Sequence, residues 1–182
     1  MTFLDGADRN LVALTDATEV KEIPMDPDTF GRPNTNPPII VDKDNLTLYA
    51  FTLNTDSLTV KMPIPWDYAS GDIIFNVIWT NDDGVDDNGK FAKWQLDYQV
   101  GAVGNVISGS HANSPKSVED AYSSDLGTVE EHTGNMTIAA ADFVGEQCLF
   151  LKLSAITPVG AALTCEPHLV GLCYTYTSYI NQ

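Results

Sequence analysis

The chain predicts an all-β fold: a two-sheet β-sandwich or barrel of about eight antiparallel strands behind an extended N-terminal arm. Three observations predict it. The stretch from Ser57 to Val100 alternates apolar and polar residues with a period of two, the spacing of half-buried strands. Its apolar residues are the β-branched and aromatic types that fit a pleated surface. Further segments of this kind recur as short runs between irregular loops, with almost no helical period, which is the pattern of a two-sheet sandwich.

In chain order, residues 1–38 read as the arm and 39–182 as the β domain, a single jelly roll by the resemblance described below. The arm contains Pro24, Pro27, Pro33, Pro37 and Pro38, which remove backbone donors and favour an extended, largely unpaired course. Its apolar patch Leu11, Val12 and Leu14 suits packing on a neighbour, where such arms gain order. Strands are then expected at Ile39–Val41 and Leu46–Leu53, with a turn at Asn54–Ser57. Leu58, Val60, Met62 and Ile64 give the next apolar face, closed by Pro63 and Pro65. Asp72–Thr80 turns Ile73, Phe75, Val77 and Trp79 inward. Lys93–Val100 does the same with Trp94, Leu96, Tyr98 and Val100. Ile74 and Ile78 lie on the opposite face of their strand, as in a strand covered on both sides by an interface. Gly101–Gly109 reads as a kinked edge strand or loop. Ser117–Tyr122, after a serine cap, reads as the single short helix. Met136–Ala139 is a strand, Asp142–Glu146 a turn, Cys148–Leu153 a strand and Thr157–Glu166 a loop. His168–Tyr176 closes the domain, with Val170, Leu172, Tyr174 and Tyr176 on one face.

Of 182 residues, 25 are Asp or Glu and 9 are Lys or Arg, for a net charge of −16. Phosphate binding needs clustered Lys and Arg, so nucleic-acid contact is not expected. Anionic membrane surfaces are disfavoured for the same reason, and no run is long and apolar enough for membrane insertion. The first residues, Met1–Asp5, lack the basic and apolar regions of a signal peptide. Such a charge repels itself unless salt screens it, which fits a high-salt habitat as well as an ordinary acidic protein.

Motifs for chemistry are sparse. The acidic loop Asn81–Gly89 holds a calcium candidate in Asp82, Asp83, Asp86, Asp87 and Asn88, since hard cations take several oxygens on a flexible loop. The spacing is not that of an EF-hand, and Asp-Asn-Gly also builds a hairpin turn. No other cofactor is expected. His111, His132 and His168 have no metal-ligand spacing and read as solvent-facing. Ser108–His111 offers no triad geometry and no nucleophile elbow, so the chain reads as a non-enzyme. Trp79 and Trp94 are in phase with apolar faces and read as core, whereas Trp66 is open to a stacking role. Cys148, Cys165 and Cys173 match no zinc or redox pattern. They read as buried hydrophobes, as one bridge plus a thiol, or as a clamp between subunits.

The layout of the last 120 or so residues resembles virion structural proteins with a single jelly roll. The matching stretches are Met62-Pro63-Ile64-Pro65-Trp66, Ile73–Trp79, Lys93-Trp94-Gln95-Leu96, Gly145–Leu151 and Leu169–Tyr176. Many of those proteins have an Arg-Asp pair after the penultimate strand, where this chain has Leu153-Ser154-Ala155. Size, acidity and the proline-rich arm are also similar to the small major capsid protein of tailless, membrane-containing viruses of halophilic archaea. The resemblance implies a subunit in the virion, building an icosahedral shell by side-by-side packing of barrels. Its partners would be copies of itself or a second, sister capsid protein. The alternative it leaves open is a decoration or fibre module that binds a host receptor or carbohydrate.

Overall fold

A computed structural model describes residues 17–43, 46–81, 87–101, 115–123, 131–143 and 148–180. Its strands are β1 (Thr18–Met25), β2 (Ile39–Lys43), β3 (Leu46–Ala50), β4 (Ser57–Pro63), β5 (Tyr68–Asn81), β6 (Phe91–Gly101), β7 (Lys116–Ala121), β8 (Glu131–His132), β9 (Met136–Ile138), β10 (Cys148–Ile156) and β11 (Pro167–Tyr179). A 3-10 turn at Pro27–Thr29 follows β1, and a short helix α1 (Ala140–Phe143) follows β9.

Two antiparallel sheets result. Sheet A has the order β2-β3-β11-β5-β8, with β1 also pairing β11 and β9 also pairing β5. Sheet B has the order β4-β10-β6-β7. The chain crosses from one sheet to the other between β3 and β4, β4 and β5, β5 and β6, β7 and β8, β9 and β10, and β10 and β11. That alternation is the winding of a jelly roll, and the all-β jelly-roll expectation holds.

The inner faces carry the residues that the period of two assigned to them. Ile73, Phe75, Val77, Trp79, Trp94 and Leu96 have no exposed surface. Phe51 meets Trp94 edge-on at 5.2 Å between centroids, and Trp79 packs on Tyr122 at 5.7 Å. Aromatic side chains bury 150–250 Å² each, so these contacts dominate the core.

Three expectations are corrected. Ser117–Tyr122 is not a helix: Lys116–Ala121 is strand β7, in register with β6 so that Val118 lies opposite Trp94. The edge of β6 gains a hydrogen-bonded partner this way, and that outweighs a weak local helical preference. The short helix lies instead at α1, where a turn was expected. The arm is not unpaired over Thr18–Met25, which runs antiparallel to β11 from Thr18 opposite Tyr179 to Met25 opposite Leu172. Pro24 is tolerated there because β1 is an edge strand. Finally, the ladder of β11 with β5 shifts register between Leu169 and Gly171. Leu169, with no exposed surface, therefore joins Leu172 in the core, and Val170 is only half-buried.

Candidate interaction surfaces

Beyond the core, the strand period divides the side chains among two broad outer faces and two barrel ends. At one end the β3–β4, β5–β6 and β10–β11 connections are tied together. The side-chain amide of Asn54 donates to Thr157 Oγ1 at 2.6 Å and accepts from Thr157 N–H at 3.1 Å. Thr52 Oγ1 donates to Glu166 at 2.8 Å. Both oxygens of Glu119, on β7, accept backbone N–H groups of Val159 and Gly160 at 2.7 and 2.8 Å, which holds its carboxyl below the usual range. Gly160 is required by close approach: a Cβ there would stand 2.4 Å from the Phe91 ring.

Asp87 is the centre of this end. It has no exposed surface, and it accepts from Asn81 Nδ2 at 2.9 Å, Lys90 Nζ at 2.6 Å, and Thr164 N–H and Oγ1 at 2.8 and 2.5 Å. Burial pushes its carboxyl upward, but the donors from Lys90, Thr164 and Asn81 outweigh burial and bring it down to about 2. Of the calcium candidates, then, Asp87 serves the fold as a knot between loops. Asn88 is exposed on the adjoining turn, and Asp82, Asp83 and Asp86 lie outside the described residues. Among the described residues no group of three His, Cys, Asp or Glu is placed to hold a metal ion.

The other end carries the β4–β5 turn. Asp67, nearly buried, accepts from Lys21 Nζ at 2.6 Å and from the Tyr176 hydroxyl at 2.8 Å. The Lys21 bond lowers its carboxyl, burial opposes this, and the Tyr176 bond adds to the lowering. Next to it Trp66 is 76% exposed.

The faces between the ends are poor in net charge. On the outer face of sheet A the charged side chains are Glu22, Lys43 and Asp72 among the described residues. The rest of that face is apolar or neutral, and Ile74 and Ile78, expected as contact residues, lie on it half-buried. Val20, Ile39 and Leu46 are exposed on its margins. A groove of about 620 Å³ crosses it, lined by Pro24, Met25, Leu46, Ile78 and Leu172 with Asp26 and Asp28 at its rim. On the outer face of sheet B stand Lys61, Lys93 and Lys152 against Asp97 and Glu119. Phe150 and Ile156 lie among them, half-buried, and Lys61 Nζ sits 5.8 Å above the Phe150 ring. Sequence reasoning missed this lysine face, although all three lysines fall in the outward phase of their strands.

The remaining expected residues are placed as follows. Leu11, Val12 and Leu14 lie outside the described residues. Cys148 and Cys173 are buried and Cys165 is half-buried, with no disulfide among the described residues. Cys148 Sγ donates to Gly101 O at 3.6 Å, and burial pushes the Cys173 thiol up. His168 is not solvent-facing: its backbone pairs Ala50 on one side and Thr80 on the other, in the middle of sheet A, and it is buried. His111 lies outside the described residues.

No family model matches the chain, and no curated protein does. Solved structures do. An exo-β-1,3-galactanase of Phanerochaete chrysosporium with galactose aligns at a TM-score of 0.51 and 6% identity, over 85% of this chain and 29% of that one. Infectious bursal disease virus, Gx strain, aligns at 0.44 and 11% identity, over 92% and 33%. A mutant VP2 protein of the same virus, in derived T=1 particles, aligns at 0.43 and 9%, over 91% and 32%. The chain thus spans a third or less of each of these chains. At 6% identity the likeness to the galactanase is one of fold alone.

Proposed function

We propose that this chain is a non-enzymatic capsid subunit of a virion, whose barrel packs side by side with copies of itself or a sister capsid protein. The observation that carries the reading is where the charge lies. The chain has a net charge of −16, yet the two outer sheet faces nearly balance. Among the described residues the remaining acids fall on loops and barrel ends, as at Asp56, Asp67 and Glu166, and on the arm, as at Glu19, Asp26 and Asp28. A barrel with acidic ends and neutral, partly apolar flanks is shaped for lateral contacts, because burying a flank desolvates few uncompensated charges. Ile74 and Ile78 on the flank, and Leu11, Val12 and Leu14 on the arm of residues 1–38, are the contact residues in this reading.

Light scattering of the purified chain at low and at multimolar salt tests it. Salt-promoted rings or larger assemblies are expected, as screening removes the repulsion between copies. A strict monomer at every salt concentration overturns it. The second reading, a decoration or fibre module that binds a receptor or carbohydrate, is favoured by one observation, the exposed Trp66, since sugars stack on such rings. Glycan retention by the monomer, lost in Trp66→Ala, would move the assignment there.

A further inference from the structure

Building on the capsid reading, we infer that contacts between copies join unlike faces: the lysine face of sheet B in one copy seats on the acid-rimmed groove of sheet A in the next. Charge complementarity selects this partner. In a chain of net charge −16, the outer face of sheet B carries three lysines, Lys61, Lys93 and Lys152, against two acids, Asp97 and Glu119, a local balance of +1. Glu119 is held by the Val159 and Gly160 N–H groups, and Asp97 lies 3.9 Å from Lys152. Lys61 is exposed and Lys152 is 40% exposed at the side chain. A second copy of this acidic chain is the partner such a surface attracts.

The counterpart is the groove over β11. Its apolar side chains are Pro24, Leu46 and Ile78, and Asp26 and Asp28 stand exposed on its rim, Asp28 accepting the Tyr49 hydroxyl at 2.7 Å. Glu22 projects from the same face, two residues before groove-lining Pro24. Phe150 and Ile156 between the lysines offer apolar surface to the groove. A four-stranded face of this length covers roughly 20 by 25 Å, below the area of a stable two-body complex. A single contact is thus weak, and many in a lattice add up. Because the two surfaces differ, the contact is head-to-tail and propagates into rings or shells instead of stopping at a dimer.

Charge reversal tests this, in light scattering at the lowest salt that assembles the unmodified chain. K61E/K152E alters the lysine face and makes the chain more negative. E22K/D26K alters the groove side and makes it less negative. The combined four-residue variant exchanges the signs and restores the net charge. The expected result is that each pair alone raises the protein concentration needed for assembly about tenfold, and that the combination returns it to within about threefold of the original. Thermal melts confirm folding; should E22K/D26K fail to fold, K61E against K43E, the same change of net charge placed on the sheet A face, decides, with K61E weakening assembly and K43E not. If E22K/D26K assembles more readily than the unmodified chain, bulk charge alone governs and the face pairing is overturned. Unchanged assembly in K61E/K152E, or no recovery in the combination, also overturns the pairing while leaving the capsid reading intact. A chain that never assembles removes both.

Discussion

Asp87 shows how much of this fold hangs on single polar side chains. Its donors come from β5, from its own turn and from Thr164 near the start of β11, so it joins three parts of the chain. Asp87→Ala should cost about 2–4 kcal/mol, since it strips the buried Asn81 amide, the partly exposed Lys90 ammonium and Thr164 of their acceptor. Urea unfolding would measure it. The depressed carboxyl fixes the pH dependence. A folded value of about 2 lies below the unfolded value of about 4. The contribution is therefore complete above pH ~4 and is lost as pH falls towards ~2. The variant's stability should fall less steeply across that window. The sequence did mark the Asp-Asn-Gly turn and placed Trp79 and Trp94 in the core, because turn chemistry and strand period are local. It did not mark Asp87 as a knot, because Thr164 is 77 residues away.

At the scale of elements, β1 is the informative case. A ladder to β11 and the Lys21–Asp67–Tyr176 cluster hold it in place. Asp67→Ala should destabilise the fold by about 1–3 kcal/mol, leaving a half-buried lysine and a tyrosine hydroxyl without their acceptor. Amide exchange should quicken in Thr18–Met25 more than in β5, which is paired on both sides. Equal quickening in the two strands would mean that the cluster supports the whole sandwich and not β1. Proline content suggested an unpaired arm here, since it registers lost donors but not the edge position where a lost donor is harmless. β7 was hidden similarly: Ser-Val-Glu-Asp-Ala reads locally as a capped helix, and only the open edge of β6 makes it a strand. The register shift beside Val170 has no signal in the period of two, because it breaks that period.

For the whole molecule, the alternation of apolar residues made the sandwich legible, but the strand order was not. β3 pairs β11 across more than a hundred residues, and no local pattern names a partner at that distance. The charge segregation was legible only as a total, and the fold decides which residues share a face. Net charge of −16 also loads the monomer with self-repulsion. Its melting temperature should accordingly climb by several degrees between about 0.05 and 1 M salt, under dilute conditions where scattering shows no assembly. A flat response would mean that the acids are spaced widely enough, or tied into bonds as Asp87 and Glu119 are, to leave little strain for salt to relieve.

One consequence follows from the position of β11. It occupies the middle of sheet A, between β5 on one side and β1 and β3 on the other, yet every strand it touches precedes it in the chain. During synthesis, β1, β3 and β5 leave the ribosome with an empty slot between them, their edges open to other nascent chains. The sheet closes only when Pro167–Tyr179 arrives, in a single late step of high contact order. A chain built this way exposes its stickiest edges before it can display its finished flanks, so synthesis, more than the folded state, sets how readily it sticks to its own copies.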